Sequence, residues 1–553
     1  MYLAVMSDPI ELAPDYYLHN FTKLITHALD WYPDLLTESE LNWLRSFKQL
    51  DKSSKCLLVR LLSRKGEWFR SDKLNYPEIG DITRCLESLQ LVDFITINHD
   101  VCALTFASEL LTKPELCSLF TFSNNAARKE QLLSQIEQKP FTRFDDINFV
   151  VIRLNYSEVI NVLLALFFAN THQDLSQFVL DDLGLHQFEN YQLSDQRRFF
   201  SSRTELNQLL HLSDLHGRYI DSDRKDSSSL LALLGEIEHP FSHNYIERKR
   251  QHLINDMSRD LERLGKLEEC LEWFAKTSLP PSRERQARVH DKLDNIDDMS
   301  DVVTEMSLQP VDVAELETTH KLEQRLKRKQ GLRVPREKKP DIHEYHLELD
   351  LSQQRVELAV KSHFEQLGYQ VFYTENLLLN GLFGLAFWDV VFAPIEGAFI
   401  NRYQHRPLDL YHADFAIKRQ ALIDQAFYTL ERDGLNALVT TYHQKYGLAN
   451  PFVHWAGFDL ELLEACIKHI PNHMALSLFK VMLKDLKLYR SGMPDLILFK
   501  QGQFEWVEVK GPGDKLQDNQ WRWFKHFIEL KVPFSVAYVK EALYSANSEK
   551  NIT

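Results

Sequence analysis

Asp495, Glu508 and Lys510 are the residues of this 553-residue chain whose types and spacing point most directly to chemistry. Asp495-Leu-Ile-Leu-Phe-Lys500 and Gln503-Phe-Glu-Trp-Val-Glu-Val-Lys510 read as two β-runs joined through Gln501-Gly502. Side chains alternate along a strand, so Glu508 and Lys510 share one face and Val509 takes the other. Asp495 begins the neighbouring strand, where its carboxylate can converge with that of Glu508. A third acid, Glu375, ends a short predicted strand at Tyr369–Tyr373. Three carboxylates make an oxygen-rich site suited to Mg²⁺ or Mn²⁺. Such an ion polarises a phosphoryl oxygen and lowers the pKa of a bound water. An ammonium group beside that water orients the nucleophile or stabilises developing charge, a contribution of about 10²–10³ in rate. The chemistry this set implies is metal-dependent phosphodiester hydrolysis.

Context, not the bare pattern, makes the signal. Pro-Asp occurs four times, at Asp15, Asp34, Asp341 and Asp495, and Glu-x-Lys recurs at Glu137–Lys139. Only the Asp495 copy lies between apolar β-runs with the acid and the lysine on one face. The elements that must position it follow the order α-β-(insert)-β-β-α-β. A helix is expected over Gln353–Leu367, stopped by Gly368, and a helix over about Lys515–Glu529 leads into a last strand at Phe534–Val539. Asn376 to Met493 forms the insert.

The rest of the chain sets limits. Apolar residues make up 44% and charged residues 26%, as in a folded globular protein. The longest apolar run, Val162–Ala169, is far short of the roughly 20 residues that span a bilayer. With no basic n-region at the start, neither a membrane nor an exported protein is expected. Six scattered cysteines without a Cys-x-x-Cys pair disfavour a disulfide framework or structural zinc and fit a reducing compartment. A net charge of −15 disfavours general polyanion binding, although charge is segregated. Asp291–Glu317 holds nine acids against Lys292, and Lys321–Lys339 nine bases against Glu323 and Glu337.

At 553 residues the chain is too long for one hydrophobic core, so several domains are expected, and sparse glycine and proline predict a predominantly α architecture. The expected organisation is an N-terminal helical region (1–52), a winged-helix or SAP-like DNA-binding region (53–226), a tetratricopeptide-like helical region (227–350) and an α/β domain (351–545). Two helices before a hairpin predicted around Asn98-His99-Asp100 suggest the winged helix, with Arg64, Lys65, Arg70 and Lys73 placed for phosphate contact. Arg197, Arg198 and Arg203 cluster beside Phe199 and Phe200, a pattern that grips a nucleic-acid backbone. Leu253, Met257, Leu261 and Leu264 form one apolar stripe of the tandem helices.

Gly492-Met493-Pro494-Asp495-Leu496 and Val507-Glu508-Val509-Lys510-Gly511-Pro512-Gly513-Asp514-Lys515-Leu516, followed by Asn519-Gln520, closely resemble the VRR-NUC branch of the PD-(D/E)XK nucleases. Phe387-Trp388-Asp389-Val390-Val391-Phe392 and Arg406-Pro407-Leu408-Asp409-Leu410 resemble segments of the Fanconi-associated nuclease family, whose long insert separates the first glutamate from Pro-Asp. The resemblance covers about residues 350–540. It implies metal ligation by Glu375, Asp495, Glu508 and the Val509 carbonyl, with Lys510 catalytic and Gln520 assisting near the scissile phosphate. It also implies cutting of branched DNA near 5′-flap junctions, 5′ exonuclease activity and a role in repair, including that of interstrand crosslinks. Some members hold a terminal 5′ phosphate in a basic pocket, for which Arg490 and Lys515 are local candidates. Without the zinc finger of the long eukaryotic members, the chain resembles the short bacterial type. A monomer in the cytoplasm at the nucleoid is expected, or a nuclear protein if the source is eukaryotic, with protein partners on the tetratricopeptide-like helices.

Two other readings compete. One is a dimeric enzyme resolving four-way junctions, which the large insert would obstruct. The other is a non-catalytic DNA-binding scaffold, which would be expected to have lost an acid or the lysine.

Overall fold

The computed structural model describes residues 13–99, 101–172, 187–193, 198–237, 240–335 and 340–542. The chain divides into two compact units, one of Met1–Leu185 with Phe200–Asp214, the other of His186–Phe199 with Leu215–Thr553.

In the first unit, helices α1 (Tyr16–Trp31), α2 (Glu38–Gln49), α3 (Lys52–Leu62) and α4 (Ile82–Leu91) pack around Phe21, Trp43, Phe47 and Phe94. Their starts are set by side chains that accept the free amides of the first turn: a Thr37–Glu40 capping box for α2, Asp51 for α3 and Asp81 for α4. The apolar run becomes α5 (Val159–Phe168), buried against α1.

The predicted hairpin does not form. β2 (Ile95–Ile97) pairs antiparallel with β5 (Val151–Leu154), which also pairs with β1 (Trp68–Arg70). β3 (Val101–Cys102) pairs with β4 (Pro140–Phe141) instead. Asn98 turns the chain away at φ +46°, and its side chain accepts the Val151 amide, binding the strand end to a distant partner. Arg70 is likewise no phosphate ligand. It is 6% exposed, lies over the Phe149 ring, and is bound by Asp72, Glu115 and the Leu110 carbonyl. Lys65 is exposed.

Phe199 and Phe200 are core residues, not stacking platforms. Arg203, at the start of α6 (Arg203–Asp221), makes a bidentate bridge to Glu40 at 2.6 and 2.9 Å. Arg198 is half-buried, and Arg197 lies outside the described residues.

The second unit opens with tandem helices: α7 (Ser227–Gly235), α8 (Asn244–Arg263), α9 (Leu267–Phe274), α10 (Ser282–Lys292), α11 (Ile296–Leu308) and α12 (Val313–Lys329). Each packs on the next, as in a helical solenoid. Leu253, Met257 and Leu261 are buried, whereas Leu264 follows the last turn of α8 and is exposed. The opposed charge runs meet. Asp291 binds Arg325 and Lys329, and Lys329 also reaches Asp294.

The helical region ends earlier than expected, because β6 (Glu344–Leu349) joins the C-terminal sheet. That sheet has the order β6-β10-β9-β8-β7, with β7 (Gln370–Tyr373), β8 (Leu496–Lys500), β9 (Gln503–Lys510) and β10 (Phe534–Glu541). β10 runs parallel to β6 and β9, and β7 and β9 each run antiparallel to β8, which lies between them. α13 (Val356–Gln366) covers one face, packing Val360 and Phe364 on Leu496, Leu498, Val507 and Val509. The other face packs Ile497, Phe499, Phe504 and Trp506 against Trp523, Phe524 and Phe527 of α19 (Asp518–Leu530) and against the insert. The insert contributes α14 (Leu377–Ala386), α15 (Gln420–Asp433), α16 (Ala437–Lys445), α17 (Leu460–His469) and α18 (Asn472–Lys484). Within it, Asp409 forms a buried bidentate pair with Arg419 at 2.7 and 2.9 Å.

The Arg70 cluster carries a pH signature. Its guanidinium holds the Glu115 carboxyl down to about 2, from an ordinary 4.5. A depressed acid stabilises the fold fully above its unfolded pKa and loses that contribution as pH falls through the folded value. Melting temperature should therefore decline between about pH 4.5 and pH 2. Glu115→Gln should melt lower at neutral pH and show a shallower acid slope; identical slopes would contradict the assignment.

Candidate active site

Strand register builds the site. Asp495 shares parity with Ile497 and Phe499, and Glu508 and Lys510 with Phe504 and Trp506, so all three face the side covered by α19. Pro494 stands just before β8, where no ladder amide is needed. The Asp495 carboxylate accepts the Val509 amide at 2.9 Å, which locks the start of β8 to the end of β9. A strand residue's N–H and C=O project to the same edge, so the Val509 carbonyl faces the Asp495 side.

Glu508 is 1% and Lys510 7% exposed. The Lys510 ammonium lies 2.7 Å from Glu508 Oε1, which also accepts the Gln520 side-chain amide. Gln520 is set by the start of α19, where its own carbonyl accepts the Gln517 amide at 2.8 Å. Glu508 Oε2 is buried without a partner. Burial, then the charge of Asp495, pushes the Glu508 carboxyl up to about 8. Burial is also the main reason that Asp495 rises to about 6, with Glu357 and Glu375 adding negative charge.

Glu375 reaches the site by its main chain. The amides of Thr374 and Glu375 both donate to the Asp495 carbonyl, at 2.8 and 2.9 Å, and Glu375 adopts φ +40°. Its exposed carboxylate accepts hydrogen bonds from Tyr373 and Asn376. Among the described residues no three acids, histidines or cysteines are gathered as a metal cluster. Asp495 and Glu508 nevertheless suit a cation. Glu508 is buried and Asp495 half-buried, the charge of Asp495 raises the proton affinity of Glu508, one Glu508 oxygen is unsatisfied, and a third acid is tethered alongside. Glu357, in the first turn of α13, is an acid at this site that strand patterns alone do not reveal.

A second feature escaped the sequence reading. A cavity of about 480 Å³ is lined by Arg248, Lys249 and His252 of α8 and by Lys484, Lys487 and His412. Its acids, Asp312 and Asp485, cap helix starts at Glu315 and Leu488. Burial lowers the pKa of Arg248 and Lys249, and burial with Arg248 nearby lowers His412 to about 4. Arg490 adjoins this cavity through the Tyr411 hydroxyl, whereas Lys515 is exposed in the loop between β9 and α19.

Residues 15–96 match the family model for the FAN1 HTH domain and residues 431–541 that for the VRR-NUC domain. A Fanconi-associated nuclease 1 homolog of Pseudomonas aeruginosa is 34% identical over 97% of each chain. The chain belongs to the Fanconi-associated nuclease family. It is therefore a nuclease, a DNA-hydrolysing enzyme, and its VRR-NUC domain implies dependence on a divalent metal. Human Fanconi-associated nuclease 1 is 23% identical, matching over 95% of this chain and 62% of the human protein. A crystal structure of paFAN1 bound to 5′-flap DNA superposes with a TM-score of 0.86, at 33% identity over 97% of this chain and all of that one. Among the described residues no helix is long and apolar enough to cross a membrane.

The approach of α19 to the site depends on Gly492. It has φ +93°, and a Cβ there would lie 2.6 Å from the Asn519 carbonyl oxygen. Gly492→Ala should displace the start of α19, loosen Gln520 from Glu508 and lower nuclease activity by about tenfold or more, since small misplacements at an active site are costly. Unchanged activity in steady-state cleavage assays would contradict that positioning.

Proposed function

We propose that this nuclease cuts 5′ flaps near the junction, with 5′ exonuclease activity, and serves DNA repair that includes interstrand crosslinks. The observation that carries the chemistry is the convergence of Asp495, Glu508 and Lys510 on one sheet face, with a buried Glu508 oxygen left free. The flap preference draws on the close likeness to a chain crystallised on 5′-flap DNA.

Asp495, Glu508 and the Val509 carbonyl would hold Mg²⁺ or Mn²⁺, with Glu375 as the further ligand. When bound, the ion polarises a phosphoryl oxygen and makes water a nucleophile near neutral pH. Lys510, fixed by Glu508, directs its ammonium to the attacking water and to charge developing on the phosphate. Gln520 keeps Glu508 oriented and neutralises part of its charge. Arg248, Lys249, Lys484 and Lys487 receive a phosphate of the flap strand, the 5′-terminal phosphate when it is present. Arg490 supports that pocket through Tyr411, and Lys515, Lys65, Arg197 and Arg198 contact DNA backbone. The protein acts as a monomer on chromosomal DNA in the cytoplasm.

Asp495→Ala should abolish Mn²⁺-dependent cleavage of a 5′-flap substrate, and Lys510→Ala should slow it by about 10²–10³. Retention of wild-type cleavage by either would refute the site. Four-way junctions assayed in parallel should be cut far more slowly than flaps; the reverse order would favour junction resolution. Mn²⁺ should also raise the melting temperature of the wild type, by mass action on the folded state, but not that of Glu508→Gln.

A further inference from the structure

Between α2, the turn after α4 and the start of α5 lies a pocket of about 290 Å³. Trp43, Val92, Phe94 and Val159 supply its apolar lining. Beside it, Leu91 is 87%, Val92 41% and Tyr156 50% exposed. Adjacent apolar exposure of this kind marks an interaction site rather than scattered surface residues.

The charge of the lining defines the occupant. The charged lining is all acidic: Glu40, Asp93 and Glu158, with no lysine or arginine. Glu40 is neutralised by Arg203 at 2.6 Å. Asp93 is held by Asn155 and by the Tyr156 hydroxyl, both neutral, and Glu158 is exposed, with no ion pair among the described residues. The remaining field repels phosphate and favours an ammonium or guanidinium group.

We infer that this pocket docks a protein segment bearing an apolar side chain next to a lysine or arginine. The apolar group enters between Trp43 and Val92, and the cation lies over Asp93 and Glu158. Nucleic acid does not bind here.

Selection of random phage-displayed peptides on the full chain, followed by anisotropy with a labelled selected peptide, tests this. The selected sequences should pair an apolar residue with Lys or Arg. Binding should weaken about tenfold in Glu158→Lys and again in Leu91→Ser, equivalent to about 1.4 kcal/mol each. Both substitutions are at exposed positions and should leave 5′-flap cleavage unchanged. Failure to select such peptides, or selected peptides that bind both variants like the wild type, would overturn the inference. So would labelled duplex DNA that binds more tightly to Glu158→Lys and less tightly to Leu91→Ser.

Discussion

Two carboxylates that repel each other are held side by side, one of them where water barely reaches, and the C-terminal domain is arranged around keeping them there. Asp495 and Glu508 lie on adjacent strands whose register is fixed by five residue pairs between β8 and β9. A one-residue slip would move either acid to the face packed by α13. Apolar cover on both faces, Val507 and Val509 on one and Trp506 and Trp523 on the other, holds that register. The same burial makes the acids costly to charge. Lys510 and Gln520 compensate at one oxygen of Glu508, and a bound cation would compensate at the other.

The long insert serves the same constraint. It separates Glu375 from Asp495 by more than a hundred residues of sequence, yet their main chains are hydrogen-bonded directly. Asn376 accepts the Met493 amide and Asn380 donates to the Arg490 carbonyl, so both ends of the insert are tied together beside the acids. The insert's own core is continuous with the sheet face that carries the site. A helical excursion of this size therefore stiffens the site, and Lys484 and Lys487 near its end add cations to the basic cavity.

The sheet face bearing Asp495, Glu508 and Lys510 could be read from sequence because strand alternation is local: residue types two apart decide which side each takes. What could not be read depends on distant partners. β2 looked like half of a hairpin until Val151–Leu154, more than fifty residues on, supplied its neighbour. β6 alternates polar and apolar residues, but its partner is the last strand of the chain, so nothing local separates it from the helical region before it. Arg70 had the residue type of a phosphate ligand, and only tertiary contact with Glu115 identified it as structural. The cations lining the basic cavity come from elements more than two hundred residues apart, which no motif spans.

The most direct measurement is anomalous diffraction from crystals of the wild-type protein soaked in Mn²⁺. A peak within coordination distance of Asp495, Glu508 and the Val509 carbonyl is predicted, with the Glu375 carboxylate turned from Tyr373 to join them. A peak elsewhere, or none at a saturating soak that supports cleavage in solution, would contradict the view that these buried acids exist to hold a divalent ion.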